Sequence, residues 1–116
     1  MKLYVYKAEL VSVYDGDTIT VLLDRGWNDK SERKVRLLYF DADETRKCRR
    51  KPKNDIKLAM IQKQWLEETL EKAEHLYVWS RELDDFGRVL GVVYNEYGES
   101  INDMFVEMWP DSEVEE

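Results

Sequence analysis

Only one stretch of this chain carries sustained helical spacing. Between residues 55 and about 74, Ile56, Leu58, Ala59, Ile61, Trp65, Leu66, Thr69, Leu70 and Ala73 recur at the 3.6-residue period, with Asn54 or Asp55 placed to cap the segment. On either side of it the apolar residues come in short runs broken by Gly, Asp, Asn and Ser. A single helix set among short strands fits a small mixed barrel that carries its helices on the outside.

The runs give an order. Residues 4–13, rich in Tyr and Val, read as a strand that ends at the turn Tyr14-Asp15-Gly16-Asp17, and residues 18–23 (TITVLL) read as its hairpin partner. Residues 24–33 (DRGWNDKSER) read as a loop. Residues 34–40 (KVRLLYF) read as a third strand buried on both faces. Pro52 lacks an amide hydrogen and restricts Lys51, which makes the basic stretch around it an exposed loop. After the helix, residues 76–79 and 89–94 flank the polar turn 83–88 as a second hairpin. Residues 100–109 form a short helix capped by Ser100 and ended by Pro110, with Ile101, Met104, Phe105 and Met108 on one face.

A chain of 116 residues has room for one core, so residues 1–110 are predicted to be a single α+β domain and the acidic end 111–116 (DSEVEE) a disordered tail. No apolar run approaches the roughly 20 residues needed to cross a bilayer. No export signal is visible before Glu9. A cytoplasmic monomer without membrane contact is therefore expected. Cys48 is the only cysteine, which excludes an internal disulfide and a multi-cysteine metal site. The net charge of −7 argues against coating DNA by bulk electrostatics. Its distribution says more: residues 46–53 read RKCRRKPK, a basic loop on an acidic body that would draw nucleic acid locally or simply stay solvated.

Three separated segments have the composition of one site. They are Asp15-Gly16-Asp17-Thr18, then Arg36 with Asp41-Ala42-Asp43-Glu44, then Asp85-Phe86-Gly87-Arg88. Calcium takes several hard oxygen ligands, which Asp17 and Asp41 at the ends of neighbouring strands begin to supply. Two carboxylates side by side repel unless a cation or an ionised arginine offsets them. Arg36 lies within an otherwise apolar strand, so it must face a carboxylate, a ligand or solvent. A guanidinium keeps its proton and forks onto phosphate oxygens, which suits Arg36 and Arg88 to a phosphodiester transition state. Glu44, eight positions beyond Arg36, would lie over a metal and orient a water.

The runs DGDT, RLLYFDADE and DFGR, with a helix between the last two, resemble the staphylococcal nuclease, or thermonuclease-like, domain family across about residues 10–106. The resemblance implies a five-stranded oligonucleotide-binding-type (OB-type) β-barrel with one long helix and a short C-terminal helix. It implies Ca2+ held by Asp17, Asp41, the backbone carbonyl of Ala42 and, through water, Glu44, with Asp15 and Thr18 around them. Glu44 would activate water, Arg36 and Arg88 would clamp the phosphate, and single-stranded DNA or RNA would be cut to leave 3′-phosphate ends. Phe86 with Lys47, Arg49, Arg50 and Lys51 would contact the nucleic acid. Three departures stand out: Asp43 replaces the family's proline, Phe86 replaces a tyrosine, and the chain stops soon after the last helix.

Alternative readings remain at this level. The same fold would serve as a noncatalytic nucleic-acid- or protein-binding module, or the acidic surface would mimic DNA. Arg36 and Arg88 would also suit structural ion pairs. His75 and Cys48 need no chemical role, Trp65 belongs to the core, and Trp27 is expected to be exposed and able to stack a base.

Overall fold

The computed structural model describes residues 4–43 and 55–115. Along the chain run β1 (Val5–Asp15), β2 (Thr18–Asp24), β3 (Lys30–Leu37), α1 (Ile56–Lys72), β4 (Leu76–Leu83), β5 (Val89–Tyr94), α2 (Ile101–Met108) and a 3-10 turn (Pro110–Ser112). The strands close a barrel in the order β1-β2-β3-β5-β4. All neighbours are antiparallel except β3 and β5, which run parallel with Arg36 opposite Leu90. This is a small α+β barrel of the OB type. None of its described helices is long and apolar enough to cross a membrane.

Alternation along the strands fills the interior. Ile19, Val21 and Leu23 of β2, Val35 and Leu37 of β3, and Val89 and Val93 of β5 all point inward and are buried. The register of β1 shifts between Leu10 and Ser12 and again between Val13 and Asp15, irregularities of the kind that bend a strand around a barrel. Helix α1 starts where the Asp55 side chain accepts from the Leu58 amide, and it buries Ala59, Gln62, Leu66 and Leu70. Helix α2 is capped by Ser100 and delivers Phe105, which stacks on Phe40 with ring centroids 4.0 Å apart and meets the edge of Trp65.

Asn102 locks α2 to the barrel. It has no exposed surface, its Oδ1 accepts from the Val93 amide at 3.0 Å, and its Nδ2 donates to the carbonyls of Leu38 and Gly91. Gly16 does similar work through size. A Cβ there would lie 2.9 Å from the Ala42 Cβ and 3.1 Å from the Gln62 Cβ, so the β1–β2 turn touches both α1 and the segment after β3. Gly16→Ala is expected to cost about 1–3 kcal/mol by overpacking, read as a lower urea midpoint with unchanged slope.

Several expectations are corrected. β3 begins at Lys30 rather than 34, because the ladder with β2 continues through Leu22–Glu32 and Asp24–Lys30 with the polar side chains outward. The tight turn before it uses positive φ at Gly26, Trp27 and Asn28 and closes through Asp29 N–H to Gly26 O at 2.8 Å, so its polar composition marks a hairpin and not a long loop. β3 is not buried on both faces: Lys34 is exposed and Arg36 partly so. It ends at Leu37, and Tyr39, at φ 78°, turns the chain away. On the helices, Ile61 and Met108 are exposed, while Gln62 and Asn102 take buried positions that an apolar count misses. Residues 111–115 are not a free tail. Asp41 N–H donates to Ser112 O, Val114 N–H donates to Tyr39 O, and Phe40 and Glu113 form an isolated antiparallel bridge, so residues 112–114 are held against residues 39–41.

Candidate functional site

Pairing of Thr18 with Arg36 fixes the centre of the site, because it sets Asp17 beside the outward face of β3. Leu37 N–H donates to Asp17 O at 2.8 Å and holds that backbone in place. The Asp17 carboxylate accepts from Thr18 Oγ1 at 3.1 Å on one oxygen and from the Ala42 amide at 3.1 Å on the other. Arg36 Nη2 lies 3.7 Å from Asp17 and 3.7 Å from Asp41, and its Nη1 donates to the Leu37 carbonyl. One guanidinium thus sits between two carboxylates, with Asp17 buried and Asp41 half exposed. Asp15 at the end of β1 and Thr18 at the start of β2 are also buried.

Burial pushes the Asp17 carboxyl above its ordinary 3.8. The Arg36 charge, the Ala42 amide and the Thr18 hydroxyl work against that rise, and the negative charge of Asp41 adds to it. A carboxylate that is hard to ionise beside a second one, with a single arginine between them, has the donor chemistry that a hard cation would relieve. Asp17 and Asp41 therefore fit calcium. Among the described residues no group of three or more acidic, His or Cys side chains comes together, and the further ligand Glu44 lies outside the described residues. So do Lys47, Arg49, Arg50 and Lys51.

The second arginine, Arg88, lies in the turn just before β5, two positions ahead of Leu90, the ladder partner of Arg36. Its Nε donates to Asp84 Oδ2 at 2.7 Å, and no terminal nitrogen of Arg88 has a hydrogen-bond partner among the described residues. The other oxygen of Asp84 accepts from the amides of Phe86 and Arg88. Gly87, at φ 80°, supplies the left-handed backbone that folds this turn on itself. The exposed Phe86 ring lies 6.0 Å from the Arg88 guanidinium.

Asp84 is thus a positioning residue that a search for site motifs passes over, although an aspartate four places before an arginine in a Gly-containing turn is a legible signal. Gln62 is a second: its Oε1 accepts from the Asp43 amide at 3.0 Å and steadies the segment that leads from Asp41. Nothing in the sequence separates it from the polar side of the helix.

Partial burial pushes the Asp84 carboxyl up, but hydrogen bonds from the Arg88 amide and side chain and from the Phe86 amide, with the charge of Arg88, outweigh it and hold the group below its ordinary 3.8. A depressed carboxyl contributes stability that is complete above 3.8 and lost as pH falls through its lower folded value. The stability difference between the native chain and Asp84→Asn is therefore expected to be constant near neutrality and to shrink in that acid window. Thermal melts across pH measure it.

Comparison with protein-family models gives no match, and comparison with curated proteins gives none either.

Proposed function

We propose that this barrel is a calcium-dependent nuclease that hydrolyses phosphodiester bonds of single-stranded DNA or RNA, as its resemblance to the staphylococcal nuclease family implies. The observation that carries the reading is the convergence of Asp17 and Asp41 on Arg36.

Asp17, Asp41 and the Ala42 carbonyl would hold calcium, with Glu44 reaching it through water; when bound, the ion supplies Lewis-acid polarisation of a phosphate oxygen and of the attacking water. The protein's own groups do the rest. The guanidinium groups of Arg36 and Arg88 would offer N–H donors to the equatorial phosphate oxygens, whose charge grows toward the transition state. Asp84 keeps the Arg88 fork aimed by occupying its Nε. Glu44 would accept the proton of the attacking water at its carboxylate. Where the family has proline, Asp43 is steadied by hydrogen bonds instead, its amide to Gln62 and its carboxylate from the Asp55 amide at 3.4 Å.

The test is cleavage of denatured DNA and of RNA with calcium or with chelator, beside Glu44→Gln. Calcium-dependent cleavage lost in the variant is expected. Calcium that raises the melting temperature without any turnover would overturn the catalytic reading and leave a binding module.

A further inference from the structure

The tip of the β2–β3 hairpin carries a side chain that the fold itself does not use. Trp27 is fully exposed, stacks on no other ring among the described residues, and sits at φ 54°, in the left-handed region that bulky residues avoid. Folding gains no burial from it. The turn nevertheless fixes the backbone that carries it. Arg25 N–H donates to Asp29 O and Asp29 N–H to Gly26 O, both at 2.8 Å. Gly26 N–H donates to Asp24 Oδ1 at 2.9 Å, and the Arg25 guanidinium pairs with Asp29 at 2.9 Å. An indole held outside the molecule, against the preference of its own backbone, is arranged for contact with something else.

The strand that leaves this tip is basic. β3 has Lys30, Arg33, Lys34 and Arg36 against Glu32 alone, in a chain whose net charge is −7. Val35 and Leu37 are buried, so alternation puts Arg36, Lys34, Glu32 and Lys30 on the other face. Arg36 stands at the Asp17–Asp41 end of that row and Lys30 adjoins the tip. Neither Lys30 nor Lys34 has an ion pair or a side-chain hydrogen bond among the described residues. β5 pairs with β3 only at Val35, Arg36 and Leu37, so no described strand covers the second edge of residues 30–34.

An open basic strip that ends in a fixed aromatic ring suits single-stranded nucleic acid, whose phosphates follow the charges and whose bases each offer a flat face. A lipid surface suits it less, because the neighbours Arg25, Asn28 and Asp29 give the indole no apolar company with which to enter a bilayer. An acidic peptide matches the lysines but has no ring to lay on the indole. We propose that the β2–β3 hairpin is a second contact for a single strand, which leaves the Arg36 site along Lys34 and Lys30 and stacks a base on Trp27, about 20 Å away at some 3.4 Å per residue of β3. This rests on the nuclease reading for what happens at Arg36, and it adds a length requirement: only a strand that spans the hairpin is held at both ends.

The test measures binding to the full chain in chelator, so that nothing is cut, by fluorescence anisotropy of labelled oligothymidylates. One has three nucleotides and the other twelve, below and within the about 4–16 that a single barrel of this kind covers. The longer strand should bind more tightly. Trp27→Ala should shrink that advantage about tenfold, the loss of one stacked base, and Trp27→Phe, which keeps a ring, should restore most of it. Both changes fall at a fully exposed position, and melting curves show that each variant is folded. Lys30→Gln with Lys34→Gln should lower the slope of log affinity against log salt by about 1.4, two phosphate contacts at about 0.7 each. Variants that bind the longer strand as the native chain does, while calcium still drives cleavage, would overturn the hairpin contact and leave the nuclease reading standing. Trp27-dependent binding of hexaglutamate as tight as that of the longer strand would also overturn it and make the hairpin a protein contact. Strand binding that needs Trp27, with no cleavage on adding calcium, would uphold the hairpin contact and sink the nuclease reading instead.

Discussion

Arg88→Ala is expected to slow cleavage of single-stranded DNA about 10²–10³-fold, the usual cost of removing one preorganised donor from a developing oxyanion, about 2.7–4 kcal/mol. The loss should appear in kcat more than in KM, because the fork is needed most when charge accumulates on the phosphate. Arg88→Lys should recover little of it. A lysine keeps the positive charge but cannot both satisfy Asp84 and present two parallel donors. Steady-state kinetics on a short oligonucleotide, with melting curves to show that each variant is folded, provides the measurement. Equal rates for Arg88→Ala and the native chain would remove Arg88 from the chemistry.

The second large effect concerns stability. Asn102→Ala would take from the Val93 amide and the Leu38 carbonyl a partner in a position closed to water, while the Gly91 carbonyl keeps the Leu38 amide. An unsatisfied buried group costs about 1–3 kcal/mol, and backbone settling would recover part of it, so a loss of about 3 kcal/mol or more is expected. Asn102→Asp should be no better. It keeps an acceptor for Val93 but turns a carboxylate oxygen toward two carbonyls. Urea unfolding at equilibrium measures both, and a change under about 1 kcal/mol for Asn102→Ala would show that the Val93 amide and the Leu38 carbonyl find other partners.

Much of the barrel was legible because its signals are local. The run TITVLL after the Gly16 turn marked β2, helical spacing with Asn54 or Asp55 as cap marked α1, and Ser100 with Pro110 bounded α2. The polar stretch 24–33 misled, since an outward strand face and a loop share a composition and only the pairing with β2 distinguishes them. Asp17, Arg36 and Asp41 were legible as a set of charges that needed one another, and they do converge. Asp84 was passed over although its place four residues before Arg88 could be read, whereas Gln62 and Asn102 were not legible, because each acts by where its side-chain amide ends up. That placement depends on turns and helix docking and not on residue type.

The bridge between residues 112–114 and 39–41 carries a consequence for timing. Asp41 donates its amide to Ser112, so one wall of the candidate site is tied to a partner that the ribosome makes some seventy residues later. While the chain is being synthesised, Asp17 and Arg36 can pair early through the β2–β3 hairpin, but the Asp41 side remains loose until residues 112–114 emerge. An arrested chain lacking them would present the arginine without a fixed second carboxylate. The site would then be completed only after residues 112–114 have emerged.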